Sequence, residues 1–139
     1  MTYDPNSIKI LIADDHFLLR QVLTNVMREK GINNIDTAAD GKIARDMVEH
    51  AYSEGSPYDV VFLDWEMPII AGIDVLKHFR DHPQFERTAF VMVTAVSTQA
   101  QVLDAIKSGA SAYLTKPLSS EAVHKKFDEI IARIVTRKQ

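Results

Sequence analysis

Short apolar runs alternate with stretches of helical periodicity along the chain. Ile8-Lys9-Ile10-Leu11-Ile12-Ala13, Val60-Val61-Phe62-Leu63, residues 89–94 and residues 111–115 are nearly continuous in apolar character, with a weaker run at residues 35–38. Continuous runs of this length read as strands buried on both faces, the pattern of a parallel sheet covered by helices. Between them, Leu19, Val22, Leu23 and Val26 predict a helix from about His16 to Gly31. Ile43, Ala44, Met47, Val48 and Ala51 predict a second, opened by Asp40-Gly41. A polar loop, residues 53–57, precedes the third strand, and a third helix starts near Gly72. Val102 and Ile106 predict a fourth, stopped at Ser108-Gly109. Val123, Phe127, Ile130, Ile131 and Ile134 predict the last, capped by Ser119 or Ser120. Five βα units account for the length, so the reading is an α/β fold with a five-stranded parallel sheet and helices on both faces.

Composition narrows the function classes. The chain has 139 residues, a formal charge of −3 and no cysteine. Disulfides, thiolate metal sites and cysteine nucleophiles are excluded, and a reducing compartment is permitted. Lys125-Lys126 and Arg137-Lys138 are too short to form a basic stripe, so no direct DNA binding is expected. No apolar run approaches the ~20 residues of a membrane span, and residues 1–7 are polar, so a cytoplasmic location without membrane attachment is expected. Neither G-x-G-x-x-G nor G-x-x-x-x-G-K-[ST] occurs, so a bound nucleotide is unsupported.

The chemistry sits at the strand ends. Asp14 and Asp15 follow the first run, Asp64 ends the third, Thr94 the fourth, and Lys116 follows the fifth. In open α/β sheets the functional crevice lies beyond the carboxyl ends of the strands. Acids crowded there beside one lysine repel one another unless a cation is bound or some are protonated. With Asp64-Trp65-Glu66-Met67-Pro68, Gly72, Thr94-Ala95 and Lys116-Pro117 in this order, nearly the whole chain resembles the receiver domain of two-component response regulators, CheY-like and of the stand-alone single-domain type. The resemblance implies a flavodoxin-like (βα)5 fold with strand order 2-1-3-4-5. It also implies a receiver over residues 8–135, a short extension at 1–7, a tail at 136–139 and no output domain.

The resemblance further implies the roles of the residues. Asp64 would be the phosphoacceptor, taking a phosphoryl group from a histidine kinase or phosphotransfer protein. Mg2+, for which Mn2+ could substitute, would be held by Asp15, Asp64 and the main-chain carbonyl of Glu66, with Asp14 acting through water. Lys116 and Thr94 would contact the phosphoryl group, along with Ala95 and the Trp65 backbone. Lys116-Pro117 is a bond that can be cis. Tyr113 would be the switch aromatic, coupling Thr94 to a target-binding face built from helix four, strand five and helix five. The protein would be a phosphoprotein with self-catalysed turnover, not an enzyme acting on other molecules, and a monomer or transient dimer.

Three features depart from the pattern or compete with it. Glu66 adds a carboxylate two residues past the acceptor, and Val96, two past Thr94, is apolar. Ile69-Ile70-Ala71 replaces the usual polar or glycine-containing turn, so these isoleucines should pack under the loop or form a partner surface. Among the five scattered histidines, His16 stands out by adjacency to the acidic pair. Two alternatives stand beside the main reading. A phosphorylation-independent adaptor would keep the fold without the cycle. A haloacid-dehalogenase-type phosphatase would need a second aspartate two residues past the first, where Glu66 stands.

Overall fold

The computed structural model describes residues 3–95 and 98–138; Val96 lies outside them. Five strands, β1 (Ile10–Ala13), β2 (Ile35–Ala38), β3 (Val60–Asp64), β4 (Ala89–Thr94) and β5 (Ala112–Thr115), form one parallel sheet in the order β2-β1-β3-β4-β5. Five helices alternate with them: α1 (Phe17–Glu29), α2 (Gly41–Ser53), α3 (Gly72–Arg80), α4 (Gln99–Lys107) and α5 (Ser120–Lys138). α5 therefore continues into the stretch expected as a tail. Before β1, Pro5–Ser7 makes one 3-10 turn capped by the Asp4 side chain.

Period-two alternation divides the core between the two faces. Ile10, Ile12, Val60, Phe62, Val91, Val93 and Leu114 pack against the buried sides of α1 and α5. Leu11, Ala13, Val61, Leu63, Phe90 and Met92 pack against α2, α3 and α4. β2 lies at the edge and shows water Thr37, which explains its weak apolar signal in the sequence.

Helix ends follow local chemistry. The Asp40 side chain accepts a hydrogen bond from the Ile43 amide at 2.8 Å, which caps α2. Of the two candidate caps of α5, Ser119 serves, accepting from the Ala122 amide at 3.1 Å. Gly31 and Gly109 follow α1 and α4 with positive φ, where a side chain would be strained. Two helical faces differ from the periodic reading. Ile43 of α2 is exposed, and α4 buries Ala105 while leaving Ile106 59% exposed. In a nine-residue helix whose apolar positions are Ala100, Val102, Leu103, Ala105 and Ile106, periodicity alone does not select the inward side.

Candidate functional site

The carboxyl ends of β1, β3, β4 and β5 open into a cleft of about 690 Å³. Asp15, His16, Leu19, Asp64, Glu66, Met67, Thr94, Ala95 and Lys116 are among the residues lining it. Asp14 and Asp64 are buried, 1% and 4% exposed, because Asp64 ends β3 and Asp14 directly follows β1, two strands with neighbours on both sides. Lys116 reaches both: its Nζ lies 3.2 Å from Asp14 Oδ2 and 3.1 Å from Asp64 Oδ2. The Lys116-Pro117 bond is cis, as the sequence allowed, and the Lys116 amide donates to the Thr94 carbonyl at 2.8 Å. The lysine is thereby seated beside the end of β4.

Electrostatics single out Asp64. Burial raises its carboxyl most, and repulsion from Asp14 adds to this. A hydrogen bond from Lys116, the charge of that lysine and the Glu66 amide pull in the other direction, leaving it at about 6. A carboxylate held in a costly charged state next to a like charge is one whose charge a cation or a phosphoryl transfer would relieve.

Each residue expected at the site can be placed. Asp15 is exposed at the rim, next to buried Asp14. Thr94 is buried, and its side chain hydrogen-bonds Tyr113, whose hydroxyl burial raises and Thr94 lowers. Ala95 is exposed in the cleft, and its small side chain leaves space beside Asp64. Two main-chain groups are already committed. The Trp65 amide, expected to face a phosphoryl group, donates to the Val93 carbonyl at 2.9 Å, and the neighbouring Glu66 amide donates to Asp64. The Trp65 ring is half-buried against the α3 side of the core.

The loop after β3 depends on close backbone approach. A Cβ on Gly72 would lie 2.0 Å from the Asp64 carbonyl oxygen, and one on Gly41 would lie 1.9 Å from that of Ile70, so neither position admits a side chain in this geometry. The two isoleucines separate: Ile70 is half-buried against the start of α2, while Ile69 is 73% exposed at φ 73°. A β-branched residue in that region is strained.

Two neighbours complete the site. His16 stands at the N-cap position of α1 without a side-chain cap hydrogen bond, and its Nδ1 lies 3.2 Å from Asp14 Oδ1 and 3.1 Å from Asp15 Oδ1. Arg20, one turn into α1, donates from Nη1 to the Asp14 carbonyl at 2.6 Å and was not anticipated. The available signal was weak: a cation five and six residues after the acidic pair, in the first turn of the helix that follows it.

Ligand atoms of Asp14, Asp15, His16 and Asp64 all lie within 4.8 Å of one another. The pattern of the family described as "Response regulator receiver domain" matches residues 10–128. The chain belongs to that family. This receiver is similar to chemotaxis protein CheY-3 of Vibrio cholerae, 33% identical over 92% of this chain and 95% of that protein. It is also similar to chemotaxis protein CheY of Pseudomonas aeruginosa, 31% identical over 91% and 98%. Among solved structures, the CheX-CheY-BeF3-Mg2+ complex from Borrelia burgdorferi aligns with a TM-score of 0.81 at 29% identity, over 89% of each chain. The receiver fold and strand order expected from the sequence are therefore those of the protein. Among the described residues no helix is long and apolar enough to cross a membrane.

Proposed function

We propose that this receiver accepts a phosphoryl group on Asp64 from a histidine kinase or phosphotransfer protein, with Mg2+, and then docks on a target protein. The observation that carries the reading is Asp64 itself: buried at the cleft floor, raised to about 6, and paired at 3.1 Å with Lys116. In the transfer, a carboxylate oxygen of Asp64 bonds to phosphorus as the bond from phosphorus to the donor's imidazole nitrogen breaks, giving an acyl phosphate. The oxygens of Asp15 and Asp64 suit a hard cation, with Asp14 and the Glu66 carbonyl as the supporting donors. Bound there, Mg2+ would neutralise charge on the phosphoryl oxygens.

Lys116 supplies a point charge to one phosphoryl oxygen, and Thr94 a hydroxyl to another. Drawing Thr94 toward a phosphoryl group would change its hydrogen bond to Tyr113, which lies on β5 on the same side of the sheet as α4, a helix that exposes Leu103 and Ile106. That chain of contacts supports a target-binding face on α4, β5 and α5. The Borrelia burgdorferi relative, solved in complex with CheX, supports a protein partner.

The test is intact-mass measurement after incubation with acetyl phosphate and Mg2+. Wild type should gain one phosphoryl group, and Asp64→Asn none. A wild-type chain that folds, binds Mg2+ and gains no mass would instead establish the phosphorylation-independent adaptor.

A further inference from the structure

We infer that His16 is a direct ligand of the cation in this cleft and biases the site from Mg2+ toward late first-row divalent ions. The inference rests on the proposal that the cleft binds a divalent cation, and it concerns which cation. Octahedral ligand atoms about 2.1 Å from a metal and at right angles stand about 3.0 Å apart. His16 Nδ1 lies 3.1 Å from Oδ1 of Asp15, the other ligand on this side of the cleft, close to one such edge. Its donor atom falls in the same 4.8 Å group as the carboxylate oxygens of Asp14, Asp15 and Asp64.

The ring is aimed by the backbone. The His16 amide donates to Asp14 Oδ1 at 2.8 Å, and Arg20 holds the Asp14 carbonyl at 2.6 Å. This fixes His16, at the N-cap position of α1, beside the acidic pair. The side chain is 63% exposed, so the imidazole lies on the solvent side of the acidic pair and gives up little burial in binding a cation there. An oxygen-only set suits Mg2+, whereas imidazole nitrogen suits zinc, copper, iron and nickel. One nitrogen among carboxylates therefore gives the site an affinity component that Mg2+ cannot use well.

The same distances also fit a hydrogen bond from the ring to the two carboxylates, and the two roles predict different results. As a ligand, His16 affects nitrogen-preferring ions selectively. As a hydrogen-bond donor, it affects all cations alike.

Calorimetric titration of wild type, His16→Asn and Asp15→Asn with Mg2+ and separately with Ni2+ decides between them. Ni2+ affinity at the cleft should fall about 10- to 100-fold in His16→Asn, while Mg2+ affinity stays within about threefold. Asp15→Asn should weaken both. Pulsed electron paramagnetic resonance of the Mn2+-loaded protein should show a nitrogen coupling in wild type that His16→Asn lacks. Equal losses for Ni2+ and Mg2+, or no nitrogen coupling, would overturn the ligand role and leave the cation site standing. Failure of wild type to bind Mg2+ at all would overturn the cation site and the inference together.

Discussion

Two helices flank β5, and they are held very differently. α5 buries Val123, Phe127, Ile130, Ile131 and Ile134 against one face of the sheet, with Phe127 stacked on Phe62 at 6.5 Å. α4, on the other face, buries Ala105 and leaves Leu103 and Ile106 in water. Burial of large side chains anchors the first, while the second has little apolar area holding it to the sheet. Tyr113 lies on the strand between them, on the α4 side, and is tied to Thr94. A packed α5 gives the proposed switch a fixed reference, and a lightly held α4 is the element that a small displacement of Thr94 or Tyr113 can move. Loosely packed elements open at lower free energy than the core.

The contrast breaks first at Phe127. Phe127→Ala removes a fully buried ring from the α5 side and should cost about 3–5 kcal/mol in urea unfolding. A loss below about 1 kcal/mol would mean that α5 is not the anchor.

Burial has the opposite effect at Asp64. In metal-free protein its carboxyl titrates at about 6 when folded, against about 3.9 unfolded, so the folded state binds the proton more tightly. Below about pH 4 both states are protonated and there is no penalty. As pH rises from about 4 to about 6 this contribution to stability is lost, on the order of 3 kcal/mol, and above that range the loss stays constant. Asp64→Asn should remove this dependence and make the metal-free protein more stable at neutral pH. Denaturation curves across that range in a chelator check both the sign and the window.

Ile69 comes next in size. Relief of its positive φ in Ile69→Gly should stabilise the fold by about 0.5–1 kcal/mol, since the side chain is exposed and gives up little packing. A destabilised variant would show that the isoleucine makes contacts that outweigh the strain.

The smallest effect belongs to α4. Ile106→Ser should change stability by no more than about 0.5 kcal/mol, in contrast to Phe127→Ala. Amide hydrogen exchange in α4 should be faster than in the middle of α5. Protection of α4 equal to that of α5 would remove the asymmetry.

The sequence alone determined the element order, the parallel sheet and the strand-end position of Asp14, Asp15, Asp64, Thr94 and Lys116. The physical reason is that buried strands must be apolar throughout, so the first charge after such a run marks where the chain leaves the sheet. Helix termini were legible for the same kind of local reason at Asp40, Gly31 and Gly109. Three things required the folded chain. The inward face of α4 is decided by fit against the sheet, which puts the small Ala105 inside and the larger Ile106 outside. The commitment of the Trp65 amide to Val93 depends on the β3–β4 register, which no residue pattern in either strand specifies. The convergence of His16 and Arg20 on the acidic pair depends on how α1 leaves β1, because reach between side chains is set by the direction of the helix as well as by spacing along the chain.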